Sequence, residues 1–159
     1  MSDLIVNALL DGPFVLRPRP DPVPGDLRLA WGIALAVLIL GSSRAKRASL
    51  QKLHFLAHSV RTPQSRTSAA RVFDGSLRPA DLVVRVEPWV NRALAFAKSM
   101  GLLTLVNGKS AQLTPEGLRL CDDLMGAPVL EEEKNFLATM KPLATERAIE
   151  KIMRMETLV

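Results

Sequence analysis

The most specific structural signals in the chain lie in Leu102-Leu-Thr-Leu-Val-Asn-Gly-Lys-Ser-Ala-Gln-Leu-Thr-Pro-Glu-Gly117. Asn107-Gly108 separates two apolar runs, and both residues of a two-residue hairpin turn must accept a positive φ, as Asn and Gly readily do. Thr114 is a typical helix cap, and Pro115 is a typical first residue of a helix. The stretch therefore predicts a tight β-hairpin that is followed at once by a helix ending near Met125.

The segment before this hairpin is the clearest amphipathic helix in the chain, running from Trp89 to Met100 and ended by Gly101. Successive residues of a helix are about 100° apart, which sorts its side chains into two sides. The apolar side holds Trp89, Val90, Ala93, Leu94, Phe96, Ala97 and Met100, and the polar side holds Asn91, Arg92, Ala95, Lys98 and Ser99. The β-branched residues from Leu82 to Val86 predict a short strand before this helix.

The remaining elements follow from apolar spacing and capping residues. The apolar run Leu29–Leu40 has 12 residues, whereas a membrane span needs about 20, so it predicts a buried core helix over 27–41 and no membrane partner. Further helices are predicted over 49–60, 62–73, 129–140 and 145–155. Alternating prolines predict an extended arm over residues 1–26. The predicted fold class is mainly α (α+β), with a domain over 27–126 and a helical extension over 127–159.

Composition narrows the function classes. The chain has 159 residues, of which 48% are hydrophobic, enough for one core, and 4% are aromatic, which argues against stacking of single-stranded bases. The only cysteine, Cys121, favours a reducing, cytoplasmic compartment. Residues 44–109 hold twelve basic and three acidic side chains, a balance of +9, whereas residues 121–159 hold five and eight, a balance of −3. The middle segment could attract a polyanion, although a solvated surface explains the charge equally well.

The chemistry-bearing side chains give no catalytic pattern. His54 and His58 have the four-residue spacing of two metal ligands on one helix face, but no Glu completes a zincin motif and a single thiol is available. Histidines at the edge of the core are therefore favoured over a metal site. There is no nucleophile motif and no glycine-rich phosphate loop. We therefore expect no enzyme activity, no cofactor, no metal and no small-molecule substrate.

The order of amphipathic helix, hairpin and helix over about Leu82–Met125 resembles a winged helix-turn-helix domain, in which the hairpin is the wing. Winged helices bind DNA, RNA and proteins alike, so this resemblance leaves the ligand open. A winged helix that binds duplex DNA would place a helix in the major groove and the wing on the backbone. A dimeric DNA-binding transcriptional regulator would then use candidate contacts on the helix, the wing tip and the preceding polar helix: Asn91, Arg92, Lys98, Lys109, Arg66 and Arg71.

A wider resemblance rests on Asp26-Leu-Arg-Leu-Ala-Trp-Gly-Ile-Ala-Leu35, Ala48-Ser-Leu-Gln-Lys-Leu-His-Phe-Leu56 and Glu87-Pro-Trp-Val-Asn-Arg-Ala-Leu-Ala-Phe-Ala97. These segments resemble the winged-helix middle components of bacterial three-component, Lamassu-like ABC-ATPase anti-phage defence systems. The resemblance implies a non-catalytic adaptor subunit that bridges an SMC/RecN-like ATPase and an effector, with DNA contact belonging mainly to the ATPase. The candidate partner-binding residues lie in the arm and on the last helix: Phe14, Leu16, Ile149, Ile152 and Met153.

Overall fold

The computed structural model describes residues 25–156, apart from positions 83 and 85. This part of the chain forms seven α-helices and one three-stranded antiparallel sheet, a mainly helical α+β fold as predicted. The elements are α1 Gly25–Ser42, β1 Arg47–Ser49, α2 Leu50–Val60, α3 Pro63–Phe73, α4 Pro88–Ser99, β2 Leu103–Val106, β3 Ser110–Leu113, α5 Pro115–Gly126, α6 Glu131–Met140 and α7 Glu146–Glu156. Phe14 and Leu16 of the predicted arm lie outside the described residues.

The predicted hairpin is present, with Asn107 at φ 54° and Gly108 at φ 65° joining β2 to β3. The predicted cap is present too, since the Thr114 hydroxyl accepts a hydrogen bond from the N–H of Gly117 at 3.1 Å. Gly117 is needed at this junction because a Cβ there would overlap the carbonyl oxygen of Leu102. The start of β2 and the first turn of α5 are therefore in direct backbone contact.

The predicted strand over 82–86 is wrong, since the described residues of that segment, at 82, 84 and 86, belong to no strand. The third strand is instead β1, and Ala48 lies opposite Ala111 of β3. Because β1 and β2 occupy the two edges of β3, the sheet order is β1-β3-β2 and the central strand has no free edge for another segment. Val86 is mostly exposed, so its β-branched side chain has no packing that would favour a strand.

Helix α1 lies at the centre of the molecule and packs against α2, α4, α5 and α6. Leu35, Val37 and Leu40 are fully buried, which confirms the predicted core helix. Gly41 allows α5 to approach closely, because a Cβ at this position would overlap the sulfur of Cys121. Among the helices of the described residues, none has both the length and the apolar character needed to cross a membrane.

The C-terminal helices belong to the same core as the rest of the described chain. Phe136 and Leu137 of α6 are buried against α1 and α2, and Ile149 and Ile152 of α7 are buried with them. Met153 is partly buried against this core. The expectation that Ile149, Ile152 and Met153 form a docking surface is therefore corrected, because their apolar face is used within the protein itself.

Candidate functional site

Two surface grooves stand out, and the first lies between α1 and α4. This groove, here called the aromatic groove, has a volume of about 680 Å³. Its lining combines three rings with three guanidinium groups: Arg28, Leu29, Trp31, Arg61, Trp89, Arg92, Ala93 and Phe96. Large apolar surface surrounded by cations is the composition of a recognition surface, because rings supply contact area and arginines supply paired hydrogen bonds.

Two of the rings in the aromatic groove, those of Trp31 and Trp89, are in contact with each other. The Trp31 and Trp89 ring centroids are 5.1 Å apart with an interplanar angle of 44°. The indole N–H of Trp31 donates a hydrogen bond to Glu133 Oε1 of α6 at 3.1 Å, which satisfies its polar atom. A Cβ at Gly32 would lie 3.2 Å from the Trp89 ring, so the glycine lets that ring lie close to α1. The tryptophan pair is therefore held by ring contact, by the close approach at Gly32 and by one hydrogen bond.

The outer part of α4 differs from the predicted apolar side. Val90, Ala93, Leu94 and Ala97 are buried as expected, but Phe96 is 47% exposed and Met100 is 59% exposed. Phe96 and Met100 are four residues apart and thus share one face of the helix. They lie at the flank of the apolar side, where α1 does not cover them. The helix therefore presents a strip of exposed apolar surface that continues from the aromatic groove.

The start of α4 is held by a polar network with α2. Glu87 Oε1 accepts hydrogen bonds from Arg61 Nη1 at 2.7 Å and pairs with His58 Nδ1 at 3.1 Å. Burial opposes ionisation of Glu87, but the hydrogen bonds from His58 and Arg61 outweigh it, so the pKa of this carboxyl lies below its ordinary value. His54 Nε2 lies 3.1 Å from Asn91 Oδ1. These five polar side chains therefore link α2 to the start of α4.

The two histidines are the edge-of-core residues that the sequence favours, since His54 is buried and His58 is half-buried. Their partners are Asn91, the backbone N–H of Glu87 and the Glu87 carboxylate. No group of three or more His, Cys, Asp or Glu side chains among the described residues is arranged to hold a metal ion. The role of His54 and His58 in the described structure is thus to join α2 to α4.

The second groove lies where the hairpin, α2 and the C-terminal helices meet, and is here called the basic groove. Its volume is about 940 Å³. Six cationic side chains line it: Arg44, Arg47, Lys52, Lys109, Lys141 and Arg147. Glu146 is the one carboxylate in this lining. The cations come from three separate stretches of the chain, residues 44–52, Lys109 and residues 141–147, which the fold brings together.

Hydrogen bonds fix the walls of the basic groove. The N–H of Leu50 donates to the Lys109 carbonyl at 2.9 Å, which holds the hairpin tip on the start of α2. Arg47 Nε donates to Ser110 Oγ at 2.9 Å across the strand pair. Burial lowers the pKa of the Lys52 ammonium, and the nearby Glu146 carboxylate partly opposes that change. Backbone and side-chain hydrogen bonds therefore hold the walls of the groove in place at the edge of the sheet.

The residues that the sequence predicts to contact DNA lie on several different parts of the surface. Arg92 lines the aromatic groove, Lys109 lines the basic groove, and exposed Lys98 lines neither. Arg66 Nη2 is in an ion pair with Glu132 Oε2 of α6 at 2.6 Å, and Arg71 contacts Ser76. The fold thus does not bring this set together on one surface. Sequence reasoning named only Lys109 of the six cations in the basic groove.

Comparison of the chain with known protein families, curated proteins and solved structures finds no match.

Proposed function

We propose that residues 27–126 are a winged helix-turn-helix domain in which the β2–β3 hairpin is the wing. The order of α4, hairpin and α5 supports this proposal, as does the pairing of β1 with the hairpin in a three-stranded sheet. In this interpretation α4 is the helix before the wing, and α3 is an additional helix between α2 and α4. The side chains on the exposed face of α4 then indicate whether this helix contacts DNA bases or another protein.

The proposed function is that of a non-catalytic, cytoplasmic adaptor subunit that bridges an SMC-like ATPase and an effector in a bacterial defence complex. The ATPase and the effector are the partners that the resemblance of residues 26–35, 48–56 and 87–97 to the Lamassu-like components implies. The structural observation that carries the proposal is the aromatic groove with the adjoining exposed Phe96 and Met100. Aromatic, Met and Arg side chains are enriched in protein interfaces, and the energy of binding is concentrated in such anchors.

The lining of the aromatic groove also indicates the chemistry of the bound segment. Arg28 and Arg92 are exposed at the groove, while Arg61 is already paired with Glu87. An acidic partner segment with large apolar side chains would fill the space between the rings and pair its carboxylates with the two arginines. We therefore assign the groove to such a segment of the ATPase or the effector.

The alternative, a transcriptional regulator that reads bases through α4, is less well supported by this face. Asn91 Oδ1 is hydrogen-bonded with His54, and Arg92 lies at a groove whose other walls are rings. Phe96 and Met100 offer no hydrogen bonds to base edges, which is how the major groove is read. The adaptor function therefore accounts for more of the exposed side chains of α4.

The adaptor proposal is tested by co-purification of the tagged protein with the ATPase and the effector that the proposal expects to be encoded beside it. The tagged protein should retain both partners, and Phe96→Glu should lose at least one of them. Met125→Glu is the matched control, because Met125 is an apolar residue that is 59% exposed on α5, outside the groove. Retention of both partners by Phe96→Glu, or equal loss with Met125→Glu, would remove the aromatic groove as the docking site.

A further inference from the structure

We propose that the basic groove binds the sugar-phosphate backbone of duplex DNA without reading its sequence. This inference is independent of the adaptor function, since it uses a different surface. Of the six cations that line the groove, five are exposed and one, Lys52, is buried. Exposed Arg and Lys side chains that converge on one groove neutralise phosphates and release counterions, which supplies the sequence-independent part of DNA affinity.

The charge of the groove is not neutralised by the protein itself. Glu146 is the one acidic side chain in the lining, and its carboxylate accepts a hydrogen bond from the backbone N–H of Ser49 at 3.0 Å. Among the five exposed cations of the lining, none is in an ion pair within the described residues, whereas Arg66, Arg78 and Arg119 elsewhere each pair with a carboxylate. The groove thus has a surplus of positive charge that an external polyanion can balance.

The other lining residues favour a phosphate backbone over other anionic partners. They are small or hydroxyl-bearing: Ser42, Ala45, Ser49, Ser110 and Thr145. Described residues of the lining include no aromatic ring, so single-stranded bases have nothing to stack on. They also include no large apolar side chain, which an acidic protein segment would need as an anchor. Hydroxyls and cations without rings are the groups that contact the outside of a duplex.

The position of the groove supports the same ligand. Lys109 lies at the tip of the hairpin, and Arg47 lies on the strand that pairs with β3. Arg147 and Lys141 bring the start of α7 and the end of α6 to the opposite wall. A duplex lying along the groove would therefore contact both the hairpin and the C-terminal extension, and the extension becomes part of the DNA surface.

Fluorescence anisotropy with a labelled duplex of about 20 base pairs tests this proposal through its salt dependence. The variant Arg44→Gln/Lys141→Gln/Arg147→Gln removes three exposed charges of the groove. We expect its affinity at low salt to fall about tenfold or more, and its slope of log affinity against log salt to become shallower by about 2 to 3. A single strand of equal length should bind less tightly than the duplex, because its phosphates are less dense.

The matched control is Arg78→Gln/Lys98→Gln/Arg119→Gln, which removes the same charge from exposed residues outside both grooves. This control should keep most of the affinity of the wild-type protein, and circular dichroism should show both triple variants folded. An equal loss in the two variants, tighter binding of the single strand, or failure of the folded wild-type protein to bind the duplex at low salt would overturn the proposal.

Discussion

The carboxylate of Glu146, in the first turn of α7, lies 3.0 Å from the backbone nitrogen of Ser49, at the end of β1. The Ser49 hydroxyl in turn accepts a hydrogen bond from the N–H of Lys52, which caps α2. One carboxylate therefore joins the first turn of α7 to the last residue of β1, and both residues line the basic groove. In the proposed DNA complex, this negative charge would lie beside the phosphates of the duplex.

Replacement of this carboxylate should strengthen DNA binding. Glu146→Gln keeps an oxygen that can accept the hydrogen bond from Ser49 but removes the charge that repels phosphates. We expect a gain in duplex affinity of about 2- to 5-fold at low salt, the size of a single charge interaction near a protein surface. Anisotropy titration measures this gain, and Glu150→Gln on the same helix, outside the basic groove, is the control. Weaker binding by Glu146→Gln alone would contradict this account of the groove.

Gly117 should be indispensable for the junction between the hairpin and α5. Gly117→Ala places a Cβ against the Leu102 carbonyl, a backbone atom that cannot move aside cheaply. The expected loss is about 2 to 4 kcal/mol in the free energy of unfolding, measured with urea. Gly126→Ala, at the other end of the same helix, meets no atom within 4 Å and should be neutral or slightly stabilising. Equal effects at the two positions would show that the close contact is absent.

Glu87 should make stability depend on acid pH. Its pKa is lower in the folded protein than its ordinary value of 4.5, so ionised Glu87 stabilises the fold above about pH 4.5. That stabilisation is lost as the pH falls through the folded-state pKa. Glu87→Gln should therefore lower the free energy of unfolding by about 1 kcal/mol at pH 7, and the difference should shrink at about pH 3.5. Urea unfolding at both pH values measures it.

The control for this pH dependence is Glu150→Gln, which removes an exposed ion pair with Arg154. Exposed pairs contribute about 0 to 1 kcal/mol, so this variant should change stability little at either pH. A constant difference between the wild-type protein and Glu87→Gln over the whole pH range would refute the role given to the Glu87 network.

Cys121 should react slowly with thiol reagents in the native protein. Burial raises the pKa of its thiol, Lys46 partly offsets this change, and Asp122 adds to it. The thiolate is the reactive form, so both burial and the raised pKa slow the reaction. Labelling at neutral pH should be about 100-fold slower in the native state than in urea, because the helix must open first. Similar rates in the two states would place Cys121 at the surface.

Local sequence signals predicted the parts of the fold that depend on neighbouring residues. Asn107-Gly108, the Thr114 cap and the apolar run of α1 each specify their own structure, and all are present. Strand β1 could not be predicted this way, because Arg47-Ala48-Ser49 has no β-branched residue and becomes a strand only by pairing with β3. The described residues of the β-branched segment after Leu82, at 84 and 86, belong to no strand.

The two grooves could not be predicted from the sequence, because they too depend on contacts between distant residues. The basic groove gathers cations from residues 44 to 147, and nothing in the sequence around each of them indicates that they converge. Phe96 has the spacing of a core residue, and only the placement of α1 against α4 leaves it exposed. The charge balance of residues 44–109 did indicate a surface for a polyanion, but Lys141 and Arg147 come from the acidic tail.

Hydrogen exchange of the protein with and without a bound protein partner tests whether the aromatic groove is the docking site. Amide exchange should slow in α4 and in the first half of α1, the two helices that form the aromatic groove. Helix α5, which lies outside the groove, is the internal reference. Protection in α1 and α4 is the result we predict. Protection confined to other elements, or none upon saturation with the partner, would contradict the aromatic groove as the docking site.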